Sequence, residues 1–168
     1  MNDIPDQNKT YKFGDSYITG QDVIYETEFF FALFDKYPVT PGHTLIVSKR
    51  KFLNLIDIQS NEWMDLYTLI KVILARIKTY DLEKFYINKI NTIQDNTAKK
   101  FMLECLNYLR FDKDIQGFNI GMNDGESAGR KVYHFHMHII PRYKNDLKKY
   151  GGGIRMVVPS KSDFITGN

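Results

Sequence analysis

One cysteine, one tryptophan and five prolines stand in 168 residues. With Cys105 alone there is no internal disulfide, so the core must hold without covalent staples, and a reducing compartment is expected. No apolar run approaches the roughly 18 residues that a membrane helix needs. Met1–Lys12 is polar and lacks the apolar centre of a signal peptide. A cytoplasmic chain with no membrane partner is therefore expected. Charge of one sign is also scarce: 23 Lys and Arg against 20 Asp and Glu leave +3, too small a surplus to argue for nucleic acid. There is no internal repeat and no low-complexity block. What is present, 43% apolar and 26% charged residues, is ordinary for a globular chain, and the length suits a single domain, 1–168.

Residues 1–16 read as a loose, solvated start, with β character beginning near Val23. The aromatic run Thr27 to Asp35 predicts a buried strand, Lys36 to Gly42 a turn with two prolines and a glycine, and His43 to Ser48 a second strand of a hairpin. Ser60 suits a helix N-cap, and Trp63, Leu66, Ile70, Ile73, Leu74 and Ile77 follow at helical steps. A second helix fits Thr97 to Arg110, with Ala98, Phe101, Met102, Cys105, Leu106 and Leu109 as its buried stripe. Tyr80 to Asn96 reads as an irregular connection. Phe118 to Met122 predicts a short strand and Asn123 to Gly129 a loop. Val132 to Ile140 predicts a strand that Pro141 ends, before Gly151, Gly152 and Gly153 make a flexible or tightly turned tail.

Three of the four histidines fall on alternate positions, His134, His136 and His138, among Tyr133, Phe135, Met137 and Ile139. On a strand this alternation puts imidazoles on one face and apolar groups on the other, with successive histidine Cα atoms about 6.6 Å apart. Three rings so close cannot all be protonated cheaply. A mixture of neutral and charged imidazoles suits nucleophilic attack by one ring while others bind anionic oxygens or carry a proton. Gly121, Gly125 and Gly129 allow close backbone approach, and Arg130, Lys131 and Arg142 bracket the row with positive charge. Phosphate chemistry is the natural reading. Two others stand beside it. Alternating histidines can ligate zinc, although no fourth ligand is obvious and the nearby cations oppose one. The row can also be a solvated strand face.

The segment His134-Phe135-His136-Met137-His138-Ile139-Ile140 resembles the hallmark of the histidine triad (HIT) family, three histidines alternating with apolar residues. Phe34-Asp35-Lys36-Tyr37-Pro38-Val39 and Pro41-Gly42-His43-Thr44-Leu45-Ile46-Val47 are similar to its early hairpin, and Gly117 to Gly125 with Ala128-Gly129 to its phosphate loop. The tail Ile140-Pro141-Arg142-Tyr143-Lys144 with Gly152-Gly153-Ile154-Arg155 looks like that of bacterial-type members. The resemblance implies an α+β fold, an antiparallel sheet with packed helices, and usually a homodimer. It implies hydrolysis or transfer of nucleotidyl groups at the α-phosphate of dinucleoside polyphosphates or nucleoside phosphoramidates.

Carried over by position, His136 would be the nucleophile forming a nucleotidyl-histidine. His138 and His134 would orient it and contact phosphate oxygens, and His43 would sit beside the site. Asp35 would accept from ribose hydroxyls, with the turn before Pro38 as its plainer role. Asn123 and the Gly129, Arg130, Lys131 backbone would hold phosphate. Adenine is the implied base. No metal is required, though a polyphosphate can arrive as its Mg²⁺ salt. The alternatives are a slow or non-catalytic nucleotide-binding protein and a zinc-binding module. Two departures matter. Arg130 and Lys131 stand where the family most often has Gln and Ser or Thr, which implies tolerance of a more highly charged substrate or weaker turnover. Residues 80–114 are longer than the usual link, which implies a helical insertion before the Gly117 strand.

Overall fold

The computed structural model describes residues 5–144, 146 and 153–158. Seven strands and three helices run in the order β1 (Thr10–Phe13), β2 (Ser16–Thr19), β3 (Val23–Glu26), β4 (Phe30–Phe34), β5 (Thr44–Ser48), α1 (Ser60–Thr79), α2 (Leu82–Thr92), α3 (Asn96–Leu109), β6 (Ile115–Gly121) and β7 (His136–Tyr143). Strands β3-β4-β5-β7-β6 form one antiparallel sheet, and β1-β2 a separate hairpin. This is the expected α+β fold. No described helix is long and apolar enough to cross a membrane.

Cross-strand partners share a face, so the register sorts the side chains. One face carries Phe30, Ala32, Phe34, Ile46, Phe135, Met137 and Ile139 into a core with the three helices. The opposite face carries Phe31, Leu33, Leu45 and Val47 under Tyr11, with Phe13 and Ile18 of the hairpin packed against them. Val47 opposes His136 and Leu45 opposes His138. The histidines therefore share the face that the β1-β2 hairpin covers.

Several expectations are corrected. Residues 10–19, read mostly as part of a loose start, fold as β1-β2 because Tyr11, Phe13 and Ile18 have the sheet's second face to cover. The Gly14-Asp15 turn between two alternating runs carried that signal. Residues 80–96 contain α2. Asp81 caps it by accepting from the Lys84 N–H (3.0 Å), and Leu82, Tyr86 and Ile90 bury at four-residue steps. The 80–114 segment thus holds two helices. Residue 60 is the first of α1, with Gln59 at the N-cap, its N–H donating to Glu62 (2.8 Å). Leu66, Leu69, Ile73 and Ile77 form the buried stripe of α1, each worth about 1.5–3 kcal/mol of burial. Trp63 faces outward, 48% exposed.

Strand β7 starts at His136 and passes through Pro141 to Tyr143. The β5 partnership stops at Ile139, so a residue without an N–H is tolerated beyond it. Gly151 and Gly152 lie outside the described residues, and Gly153 opens a short 3₁₀ turn to Val157.

Gly42 has φ +80°, and a Cβ there would come within 2.9 Å of Ile77 Cγ2 and 3.2 Å of Leu82 Cδ1. Gly42→Ala is expected to cost about 2–4 kcal/mol through backbone strain and overpacking. Urea unfolding measures it, and an unchanged midpoint would contradict the tight approach.

Candidate active site

The strand β7 and the residues before it carry the histidine row, and each ring is fixed by a hydrogen bond: His134 by backbone of other elements, His136 by the His134 carbonyl and His138 by the His43 ring. His134, only 1% exposed, is held at both nitrogens. Gly14 N–H at the hairpin turn donates to Nδ1 (3.3 Å), so the proton sits on Nε2 and is donated to the Ser48 carbonyl (2.7 Å). The ring is pinned and neutral, its pKa lowered mainly by burial. Its nitrogens are thus not available for the phosphate contact expected of it. What His134 offers instead is its carbonyl, which accepts from Nδ1 of His136 (2.7 Å). Neutral His136 is thereby the tautomer with a lone pair on Nε2. Phe13 packs edge-on against His136 and His134, with centroids 5.3 and 6.0 Å away, and His136 is 9% exposed.

The third ring has the opposite polarity. The β4–β5 connection turns back so that Asp35 N–H donates to the His43 carbonyl (2.8 Å), and Val39 N–H donates to His43 Nδ1 (3.4 Å). His43 then carries its proton on Nε2, which donates to Nδ1 of His138 (3.0 Å). His138 must keep its own proton on Nε2. Burial pushes His43 down to about 4, and burial together with the neighbouring imidazoles does the same for His138. Adjacent rings, 5.2 Å apart, thus present an acceptor at His136 and a donor at His138.

Asp35 takes the plainer role, shaping the turn before Pro38. One oxygen accepts from Tyr37 N–H (2.8 Å) and shapes the turn, while the other lies 3.6 Å from His43 Nε2. Burial raises its pKa, opposed by that N–H and by the neighbouring histidines. The connection is held from below by Asp95, the N-cap of α3, which pairs with Lys36 (2.6 Å) and accepts from the Tyr37 hydroxyl (2.7 Å). A cavity of about 340 Å³ is lined by the chain neighbours of Asp35, Phe34 and Lys36, with Ile18, Leu33, Phe85 and Met102 among others.

The 123–131 loop departs from expectation. Gly129 N–H donates to the Glu126 carbonyl (2.8 Å) and Arg130 N–H to the Gly125 carbonyl (3.2 Å), so both amides are spent inside the loop. The Arg130 guanidinium, with its side chain 7% exposed, binds the Leu53 carbonyl, Asn54, Asp124 and the Asn123 carbonyl. It staples the loop to the segment after β5 instead of facing a phosphate. Arg142 is likewise committed, to Asp146 and Asn119. Asn123 and exposed Lys131 keep their side chains without a hydrogen-bond partner among the described residues.

Among the described residues, those that could hold a metal are Asp35, His43 and His138, whose donor atoms lie within 4.8 Å of one another. The three histidines of the row do not converge in this way. A cation on Nε2 of His43 would require the ring proton on Nδ1, where it would meet the Val39 N–H. The set suits a shared proton better than an ion. Cys105 is elsewhere, buried in α3 with its thiol against the Pro38 carbonyl and pushed up to about 12 by burial.

Residues 19–145 match the HIT domain. The chain belongs to the HIT family. Among curated HIT relatives, the bis(5'-adenosyl)-triphosphatase of Saccharomyces cerevisiae is 28% identical over 138 residues, 82% of this chain and 51% of the relative. The asymmetrical bis(5'-nucleosyl)-tetraphosphatase of Schizosaccharomyces pombe is 28% identical over 130 residues, 77% of this chain and 54% of the relative. The chain thus spans about half the length of these relatives. Of solved HIT structures, the Plasmodium falciparum diadenosine triphosphate hydrolase is 26% identical with a TM-score of 0.52, covering 86% of this chain and 78% of the other. The NitFhit protein of C. elegans is also 26% identical, with a TM-score of 0.59, over 86% of this chain and 27% of that one.

Sequence reasoning missed Phe13, Gly14 and the Val39 amide. The first two carried a hairpin signal. A backbone amide carries none.

Because His43 and His138 fall from 6.5 to about 4 on folding, the unfolded chain binds protons that the folded one does not. Their contribution is complete above about pH 6.5 and is lost as pH falls toward 4. Urea unfolding in EDTA at pH 5 should show about 1–2 kcal/mol less stability per ring than at pH 7.5. His43→Asn should shrink that difference, and an undiminished difference would contradict the assignment.

Proposed function

We propose that this chain is a nucleotide hydrolase or nucleotidyl transferase acting on the α-phosphate of dinucleoside polyphosphates or nucleoside phosphoramidates. The observation that carries the reading is the opposed polarity of His136 and His138, a lone pair beside a proton. The Nε2 lone pair of His136 would attack phosphorus and form an N–P bond. The anhydride or phosphoramidate bond would break with its electron pair on the leaving group, which would accept a hydrogen bond from His138 Nε2–H and take any proton it needs from solvent, because the neutral ring has no second proton to give. Water would then attack the nucleotidyl-histidine and lose a proton to solvent. The N–P bond would break, releasing the monophosphate and restoring His136. Asp35 would accept from the ribose, and the cavity that Phe34 and Lys36 line has room for a base, adenine by family resemblance. Asn123 would hold a phosphate oxygen. No metal is required for the covalent step, and a polyphosphate substrate can bring its own Mg²⁺.

A second reading, a nucleotide-binding protein of slow turnover, is favoured by one observation: His136 is largely covered by Phe13. Intact mass after rapid mixing with a diadenosine polyphosphate separates the two. The expected result is a gain of one nucleotidyl group, absent in His136→Ala, with turnover lowered at least about 10³-fold. Nucleotide binding with no adduct and no monophosphate release would favour the second reading.

A homodimer is proposed on the row Trp63, Met64 and Tyr67 along α1, large apolar groups about half exposed. Sedimentation should give a dimer for the wild type and a monomer for Trp63→Arg. A monomeric wild type would overturn this. The lone cysteine suits a reducing location such as the cytoplasm.

A further inference from the structure

The histidine row has two ends, and they differ in charge. At the His138 end lie His43 and Asp35. At the His134 end three segments converge. The hairpin turn arrives through Gly14, whose N–H bonds the His134 ring. Val132 lies so close to Gly14 that a Cβ there would come within 2.8 Å of its Cγ1. The stretch after β5 is joined through Phe135 N–H, which donates to the Phe52 carbonyl (2.7 Å). Each segment brings an exposed lysine: Lys12 two residues before Gly14, Lys131 next to Val132, and Lys51 next to Phe52.

Most cations nearby are neutralised. Lys9 and Lys49 pair with Glu26, Arg50 with Glu62 and Arg130 with Asp124. Among the described residues Lys12, Lys51 and Lys131 make no ion pair. Of the acids closest in sequence, Asp124 is paired with Arg130, while Glu126, which accepts from the Tyr133 hydroxyl, and Asp15 at the hairpin turn keep their charges. The charges of Lys51 and Lys12 also help to lower the pKa of His134, behind the effect of burial, which agrees with their nearness.

We propose that Lys12, Lys51 and Lys131 form a polyphosphate subsite at the His134 end of the row, which receives the phosphates beyond the one attacked and favours substrates with long anionic bridges. Three lysines on segments that meet at His134, against Asp15 and Glu126, leave a positive local potential, and an extended anion of several charges gains more from it than a single phosphate. With ribose at Asp35 and the reacting phosphorus at His136, the remaining phosphates would lead past the hairpin turn that covers buried His134 toward these lysines. The direction of that path rests on the proposed reaction. The affinity of the lysines for a polyphosphate does not.

The test separates the two claims by using inorganic tripolyphosphate as a probe that needs no turnover. Calorimetry should show wild-type binding that weakens with added salt. The K12Q/K51Q/K131Q variant should bind at least about tenfold more weakly, and the K12R/K51R/K131R variant, which keeps the charge, should bind like the wild type. In turnover, the preference for a tetraphosphate bridge over a nucleoside phosphoramidate should fall by a similar factor in the Gln variant. Equal tripolyphosphate affinity in wild type and Gln variant would overturn the subsite. So would a short single-stranded oligonucleotide that outcompetes tripolyphosphate. If tripolyphosphate binds as expected but no nucleotide is turned over, the subsite stands and the proposed reaction fails.

Discussion

The hydrogen bond from His136 Nδ1 to the carbonyl of His134 is the constraint on which the chemistry of this chain depends. An imidazole has one proton and two nitrogens, so a carbonyl that claims the proton at one side leaves a lone pair at the other. The same logic runs in the opposite sense through Val39, His43 and His138, where an amide sets the tautomer of the first ring and that ring sets the next. Neighbouring rings of one residue type acquire different duties without any difference in their side chains. Backbone groups do the sorting, and the fold holds them in place more rigidly than flexible side chains could.

Those backbone groups come from distant parts of the chain. Ser48 ends β5, Gly14 turns the hairpin, and Val39 belongs to the β4–β5 connection. The sheet register that opposes His136 to Val47 and His138 to Leu45 makes these meetings possible. The helices bury one face of the sheet and the hairpin buries most of the other, so the histidines sit where desolvation keeps His43, His134 and His138 in their neutral forms. Stability and reactivity therefore share one cause.

The segment around Arg130 shows how neighbouring cations can serve different ends. Its guanidinium donates through Nε and one terminal nitrogen to carbonyl, amide and carboxylate oxygens, which makes it part of the scaffold of the loop. Lys131, one residue later, is exposed and makes no ion pair among the described residues. Adjacent charges identical in a composition count thus have unlike uses, and only the partners available to each decide which.

Period-two alternation from His134 to Ile139 was enough to place imidazoles on one face and apolar groups on the other, because strand geometry allows little else. Helical spacing likewise revealed α3, and most of α1. Local pattern did not reveal α2: residues 80–96 were read as an irregular connection, although Asp81 and the four-residue steps at Leu82, Tyr86 and Ile90 were there to be read. Nor could it show that Trp63 lies outside, since burial depends on what another element brings to that side. Which nitrogen of each histidine carries the proton, and which arginine is already occupied, were settled only in three dimensions. Those outcomes depend on hydrogen-bond partners up to 120 residues away in the chain, and a linear pattern contains no record of such distances.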